Sequence, residues 1–295
     1  MPPGLEILHA TEDVRRRVAG WRADGLSVGL VPTMGAVHDG HLALVREAAE
    51  AADRVVASLF VNPRQFVPGE DYAAYPRDQA RDAELIASAG GDVLFAPPGE
   101  AVYPAGFSTA VSVGELSEGL CGAFRPGHFE GVATVVAKLF NMVRPDAAWF
   151  GEKDFQQLQV VRRLARDLDL GVAVHGVPTV READGLALSS RNVYLSAEER
   201  AAAPALHRAL LALAERAVAP GVDLAQAIGE ARRSILAAGF QRVDYVAVAD
   251  RETLRPADPP IRQEARALAA AWLGKARLID NVAVPPRGSG ESPRG

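Results

Sequence analysis

The hydrophobic pattern of this chain switches repeatedly between two periods, and that switching limits the fold more than any other feature. Ser27–Val31 (SVGLV) is a short apolar run that ends at Pro32, as a buried parallel strand would. Leu42, Val45 and Ala49 then recur at helical spacing, and Arg54–Val61 (RVVASLFV) reads as a second strand, which completes a βαβ unit. The alternation continues with a helix over Asp78–Ala89, a strand at Asp92–Ala96, a helix over Val132–Met142 and a strand at Ala147–Phe150. A helix over Phe155–Asp167 and a strand at Val172–Val177 follow. Strands alternating with helices predict an α/β, doubly wound domain with a mainly parallel sheet.

Near Gly185 the pattern changes. Ala197–Ala219 and Leu224–Ala238 read as consecutive helices, followed by strands at Val243–Ala249, Ala265–Leu273 and Arg277–Asn281. Helices followed by strands predict a smaller α+β C-terminal domain. The expected division is 1–184 for the first domain, 185–283 for the second and 284–295 for a disordered tail of Pro, Gly, Ser and Arg.

A net charge of −5 and only 6% aromatic residues argue against a nucleic-acid binder, which would show a basic face interleaved with stacking rings. The single cysteine, Cys121, excludes an intrachain disulfide and has no partners at metal spacing. Met1–Ala10 lacks the regions of a signal peptide, and no apolar run reaches the about 18 residues of a membrane span. The expectation is a cytoplasmic protein with no membrane partner.

The segment PTMGAVHDGH, Pro32–His41, lies where ligands bind in open α/β sheets: beyond the carboxyl end of a strand, at the start of a helix. Gly35 and Gly40 allow close backbone approach, and helix-start N–H groups attract an anion. His38 and His41 are spaced to share one side of that terminus, if the helix begins near Asp39. Either can hydrogen-bond phosphate oxygens. Ordinary capping and zinc binding are the other readings; zinc would need a third ligand at plausible spacing, and no such set accompanies them.

Three further clusters share this chemistry. FGEKDFQQ, Phe150–Gln157, follows another strand, with Lys153 able to place a compact charge on phosphate and Asp154 able to accept from ribose hydroxyls. LSSRN, Leu188–Asn192, combines two hydroxyls and a guanidinium, as a closing phosphate clamp would. Asn62-Pro63-Arg64-Gln65-Phe66 follows the second strand, and the amides of Gln65 and Gln157 suit the hydroxyl and carboxylate groups of a small polar acid. Alone, each is a routine helix start, linker or surface segment.

Together, PTMGAVHDGH, FVNPRQF, RPGHFEGV, GEKDFQQ and VPTVREADGLALSSRN resemble, in that order, the motifs of the pantothenate synthetases, the pantoate–β-alanine ligases of the nucleotidyltransferase superfamily. The H-x-G-H tetrapeptide resembles the signature shared with class I aminoacyl-tRNA synthetases. The resemblance implies a Rossmann-like fold, a homodimer, and condensation of (R)-pantoate with β-alanine, using ATP with Mg²⁺, to give pantothenate, AMP and pyrophosphate. It implies that Met34, Gly35, Ala36, Val37, His38, Asp39, Gly40 and His41 contact ATP, with His41 as proton donor and His38 on the triphosphate. Gly151, Glu152, Lys153 and Asp154 would form a second ATP contact, Val180 would hold the adenine side, and Leu188, Ser189, Ser190 and Arg191 would form the phosphate loop. His41, His38, Lys153 and Arg191 would carry the catalysis. Gln65 and Gln157 would bind pantoate, Gln65 also lying near β-alanine.

Leu188 stands where the family has Met, a swap of similar volume that should leave packing intact. Asp82 is a metal candidate by position, although Mg²⁺ in such sites is held mostly by phosphates and water. Arg125 and His128 lie near the expected site without an assigned role. A nucleotidyltransferase releasing pyrophosphate without AMP is disfavoured by Gln65 and Gln157 together. A tRNA synthetase fragment is disfavoured by the lack of a basic extension. A non-catalytic sensor of ATP or pantoate would not need both histidines, Lys153 and the Ser-Ser-Arg triplet.

Overall fold

The computed structural model describes residues 4–286. The chain starts with a short strand β1 (Glu6–Leu8) and a helix α1 (Thr11–Ala23), neither of which the hydrophobic pattern announced. Only Val14 and Val18 of α1 are buried, so its apolar stripe is one turn long and its other residues read as solvated. The expected alternation follows: β2 (Val28–Thr33), α2 (Asp39–Ala51), β3 (Arg54–Leu59), α3 (Gln79–Ser88) and β4 (Val93–Phe95). Two short helices, α4 (Gly99–Val102) and α5 (Cys121–Phe124), precede α6 (His128–Val143), β5 (Ala147–Gly151), α7 (Phe155–Asp167) and β6 (Ala173–Val177).

The six strands form one parallel sheet in the order β1-β4-β3-β2-β5-β6. From β2 the chain steps one way to β3 and β4; β5 and β6 lie on the other side. Right-handed crossovers in opposite directions put helices on both faces, the doubly wound arrangement. Val31, Leu42, Val45, Ile86, Leu94 and Trp149 share one buried cluster beneath it. Pro32 lies inside β2 rather than at its end. It is tolerated because the ladder to β5 covers only Gly29 and Leu30, so no donor is missed on that side.

The C-terminal part carries α8 (Ala197–Ala202), α9 (Ala205–Ala217) and α10 (Leu224–Ala237), then an antiparallel sheet of β7 (Arg242–Asp250), β8 (Ala265–Leu273) and β9 (Ala276–Val284). The single helix expected over 197–219 is two, because Pro204 cannot donate within a helix and starts α9 afresh. Leu206, Leu210, Leu213, Ala231 and Ile235 share one core with Ala267, Ala269, Leu278 and Val282 of the strands. Because β9 runs through Val284, a tail can begin only after it, and residues 287–295 of the expected tail lie outside the described residues. Among the described residues, no helix is long and apolar enough to cross a membrane.

The chain divides into two compact units. The first takes in the chain up to Glu118, with Arg125–Glu152 and Gln157–Pro178. The second takes Gly119–Phe124, Lys153–Gln156 and the chain from Thr179 onward. The second unit therefore starts before the expected boundary at 184/185, because Arg181 to Ala187 fold back on each other and Arg181 pairs with Asp280.

Candidate active site

In the first unit, β2 gives way to the loop Met34–Val37 and then to α2, at the switch point between β3 and β5 on the carboxyl edge of the sheet. The loop turns on two left-handed residues, Gly35 (φ 84) and Ala36 (φ 52). Thr33 Oγ1 accepts from the Gly35 N–H at 3.2 Å and donates to the Ser58 carbonyl at 2.8 Å. Asp82, reaching from α3, is 1% exposed and accepts from two successive loop donors, the N–H groups of Ala36 at 2.9 Å and Val37 at 2.8 Å. A β-carbon on residue 35 would stand 2.9 Å from Asp82 Oδ2, so glycine is required there for space as well as for conformation. Burial pushes the Asp82 carboxyl above its ordinary pKa, while the two loop N–H groups pull it back.

This geometry gives Asp82, read from the sequence as a metal candidate, a task that reading did not include. Both oxygens are engaged by the loop, so the residue anchors the turn. Among the described residues no group of three or more His, Cys, Asp or Glu is arranged to hold a metal ion.

His38 is the N-cap of α2, and its Nδ1 accepts from the Gly40 N–H at 3.2 Å. The His41 Nδ1 accepts in return from the His38 N–H at 3.4 Å, and the ring centroids lie 4.1 Å apart. A neutral imidazole that accepts at Nδ1 carries its proton on Nε2. The cap thus sets both rings in the tautomer that donates from the far nitrogen, at the positive end of a helix.

Gln65 ends a 3-10 turn, Pro63–Gln65, that follows β3. Asn62, 1% exposed, organises this turn: its Nδ2 donates to Gln65 Oε1 and to the Gly131 carbonyl, both at 3.0 Å. Its Oδ1 accepts from the Arg64 N–H and from Tyr103 Oη, whose pKa burial pushes up to about 12. Gln65 Nε2 then donates to Met34 Sδ at 3.1 Å, which brings the expected acid-binding amide onto the expected nucleotide loop. Helix α6 lies so close that a β-carbon on Gly131 would meet the Arg64 carbonyl at 2.3 Å. Asn62 falls within a motif read from the sequence, but nothing local marks it as the organiser of the turn.

Arg125 and His128 now acquire a task. His128 Nδ1 donates to the Gln65 carbonyl at 2.7 Å, which leaves Nε2 to accept from Arg125 Nη1 at 2.9 Å. Arg125 also makes a two-pronged pair with Glu70 at 2.6 and 2.7 Å. Burial pushes the Glu70 carboxyl up, but the hydrogen bond and charge of Arg125 outweigh it and hold the group below its ordinary value. The chain Glu70–Arg125–His128 fixes the backbone of Gln65. Gln157 is half-buried early in α7, and Gly151 ends the strand β5 that adjoins β2, with Glu152 directly after it.

In the second unit, Lys153 and Asp154 belong to the 3-10 turn Glu152–Asp154, with Lys153 Nζ 3.7 Å from Asp154 Oδ2. The Lys153 carbonyl accepts from Asn281 Nδ2 at 3.1 Å. The Val180 carbonyl accepts from the Leu188 N–H at 3.0 Å, closing the base of a turn that leads into the loop Leu188–Arg191. Ser189 Oγ accepts from the Arg191 N–H at 3.3 Å and caps the 3-10 turn Ser190–Tyr194. Lys153 and Ser189 line one cavity together with Asn192, His207 and Asp280. The structure thus assembles Met34–His41 and Gln65 in one unit, and Lys153 with the Leu188–Arg191 loop in the other.

The family model for pantoate-beta-alanine ligase matches residues 6–283. The pantothenate synthetase of Sphingopyxis alaskensis is 55% identical over 280 residues, covering 95% of this chain and 100% of the relative. That of Rhodospirillum rubrum is 56% identical over 283 residues, covering 95% and 99%. Among solved structures, pantothenate synthetase from Thermus thermophilus superposes with a TM-score of 0.87 at 52% identity, covering 95% of this chain and 100% of that one. Pantoate-beta-alanine ligase from Francisella tularensis, complexed with beta-gamma ATP and beta-alanine, superposes with a TM-score of 0.77 at 31% identity, covering 94% and 97%.

Proposed function

The chain belongs to the pantoate-beta-alanine ligase family, and from that premise we propose that it joins (R)-pantoate to β-alanine through a pantoyl adenylate, turning ATP into AMP and pyrophosphate. The observation that supports this reading is the contact of Gln65 with Met34, an amide suited to a small polar acid beside a helix start suited to an anion. The Francisella tularensis neighbour, complexed with beta-gamma ATP and beta-alanine, supports those two substrates. A cytoplasmic homodimer belongs to the same reading and rests on the family resemblance.

In the first step the pantoate carboxylate attacks the α-phosphorus of ATP, and the bond to the β-phosphate breaks as pyrophosphate leaves. Two anions must meet, so the N–H groups of Met34–His41, the Nε2 donors of His38 and His41, and the charges of Lys153 and Arg191 offset the repulsion. Asp39 and Gly40 belong to that helix start, Gly151 to Asp154 form the second nucleotide contact, and Val180 holds the adenine side. Gln65 and Gln157 orient pantoate, and Gln65 borders the β-alanine position. In the second step the β-alanine nitrogen attacks the acyl carbon, the bond to the AMP oxygen breaks, and the nitrogen sheds a proton. Positioning does most of the work in both steps.

Mg²⁺, the expected companion of ATP, finds no group of three or more His, Cys, Asp or Glu among the described residues, and each Asp82 oxygen already accepts from a loop N–H. Such an ion would be held by phosphates and water, where it would neutralise charge. Asp82→Asn keeps one acceptor but turns an NH₂ group toward a loop N–H. The KM for ATP should rise by about tenfold, the scale of one hydrogen bond to a charged group, with the Mg²⁺ dependence of the rate unchanged. A shifted Mg²⁺ requirement with unchanged ATP affinity would instead assign Asp82 to the metal.

Product analysis tests the function itself. Purified protein given ATP, Mg²⁺ and pantoate should yield AMP and pantothenate only when β-alanine is added, and should exchange pyrophosphate into ATP when pantoate is present. Pyrophosphate release without AMP, or nucleotide binding without turnover, would refute the ligase reading.

A further inference from the structure

Asn281 lies 128 residues from Lys153 and outside every nucleotide motif, yet its side chain reaches that lysine's backbone. It sits on β9, is 2% exposed, and has Leu268 as its cross-strand neighbour. Its amide is used at both ends. Arg266 Nη1 donates to Oδ1 at 3.1 Å, and Nδ2 donates to the Lys153 carbonyl at 3.1 Å. The arginine settles the orientation, since a flipped amide would set NH₂ against guanidinium and oxygen against carbonyl.

The backbone of Asn281 is held as firmly. Its N–H donates to Asp280 Oδ1 at 2.7 Å, and its carbonyl accepts from Arg181 Nη2 at 3.3 Å. Arg181 grips Asp280 with two nitrogens, at 2.8 and 2.9 Å, and also donates to the Gly185 carbonyl at 3.1 Å. Gly185 belongs to the turn closed by Val180 and Leu188, the root of the phosphate loop. A buried dipeptide on β9 therefore ties down two nucleotide elements distant in sequence. An amide on an apolar strand is costly to bury unless its groups are paired, and here one partner is the turn that bears Lys153.

We infer that Asn281, seated by Asp280 and Arg181, is a positioning residue for Lys153. It holds the carbonyl of the 3-10 turn and so sets where the lysine ammonium meets the ATP phosphates. This inference rests on the ligase reading and on the part Lys153 plays in it.

Asn281→Asp keeps the volume and the acceptor toward Arg266, but sets an oxygen against the Lys153 carbonyl. In pantoate-dependent ATP–pyrophosphate exchange, kcat should fall by about tenfold to a hundredfold, the cost of a small misplacement of a reacting group. The KM for pantoate should stay within about twofold. Asn281→Ala, which adds no charge, is measured alongside in case the aspartate does not fold. The decisive comparison is in the Lys153→Ala background, where either substitution should cost little more, because it acts through a side chain already removed. Equal losses in both backgrounds would show a general structural role and overturn the inference. Wild-type kcat in both single variants would overturn it too, while leaving the ligase reading intact. A wild-type protein without exchange activity would instead refute the ligase reading, and the inference with it.

Discussion

Replacing Lys153 with alanine should lower pantoate-dependent ATP–pyrophosphate exchange by about a hundredfold to a thousandfold, the range for losing one preorganised group that stabilises transition-state charge. The fold should barely register the change. The Lys153 side chain is 19% exposed, and its one ion pair within the turn, with the half-exposed Asp154, spans 3.7 Å. Such a pair contributes at most about 1 kcal/mol, so the melting temperature should stay within about 2–4 °C of wild type. The Asn281 hydrogen bond also survives, because it uses the Lys153 carbonyl and not the side chain. Arginine should restore little, since a planar fork does not replace a compact ammonium. Near-normal exchange by Lys153→Ala would remove the lysine from the mechanism, whatever the melting temperature.

The legible parts of this protein were those whose physics is local. Buried parallel strands show as continuous apolar runs, so β2, β3 and β5 could be read directly, and glycine with histidine after β2 marked the turn into α2. The helix α1 was not legible because Val14 and Val18 alone face the core, and β1 is only three residues long. Helix α6 starts at His128, ahead of the expected Val132, because tertiary partners bury its first turn: His128 on Gln65, and Gly131 against Arg64. The site divides the same way. Which residues are candidates to meet phosphate follows from residue type and place on the strand edge. What holds them does not, because Asp82, Asn62, Glu70 and Asn281 act on partners that no spacing rule connects to them. Asp82 shows the cost of that gap. A carboxylate near a nucleotide motif invites a metal, and the two loop N–H groups aimed at it add an anchoring role that no spacing rule announces.

The largest effect on stability should come from Asp280→Ala, at about 3–5 kcal/mol, measured as a fall in the urea midpoint. Its carboxylate is 3% exposed and faces the Arg181 guanidinium, itself 13% exposed, so truncation leaves a buried cation without its counter-charge. His207 offers little compensation: its Nδ1 lies 3.2 Å from Asp280 Oδ2 but off hydrogen-bonding geometry, and its ring is wedged against Gly185. Removing both charges together, in Arg181→Leu with Asp280→Leu, should cost less than Asp280→Ala alone, since no buried charge is then orphaned. Acid should reproduce the single change. Burial pushes the Asp280 carboxyl up, but the neighbouring His207 and the hydrogen bonds and charge of Arg181 hold it below its unfolded value. A depressed carboxylate contributes its full stability above the unfolded pKa of about 3.9 and loses it as pH falls through the lower folded value. Glu70, depressed by Arg125, adds to the same decline from its own unfolded value of about 4.3. The wild-type urea midpoint should therefore drop on acidification below about pH 4, and drop less steeply in Asp280→Ala, which has already lost the charge that titrates. Parallel declines in the two proteins would assign the acid sensitivity elsewhere and leave the Arg181–Asp280 pair with no part in it.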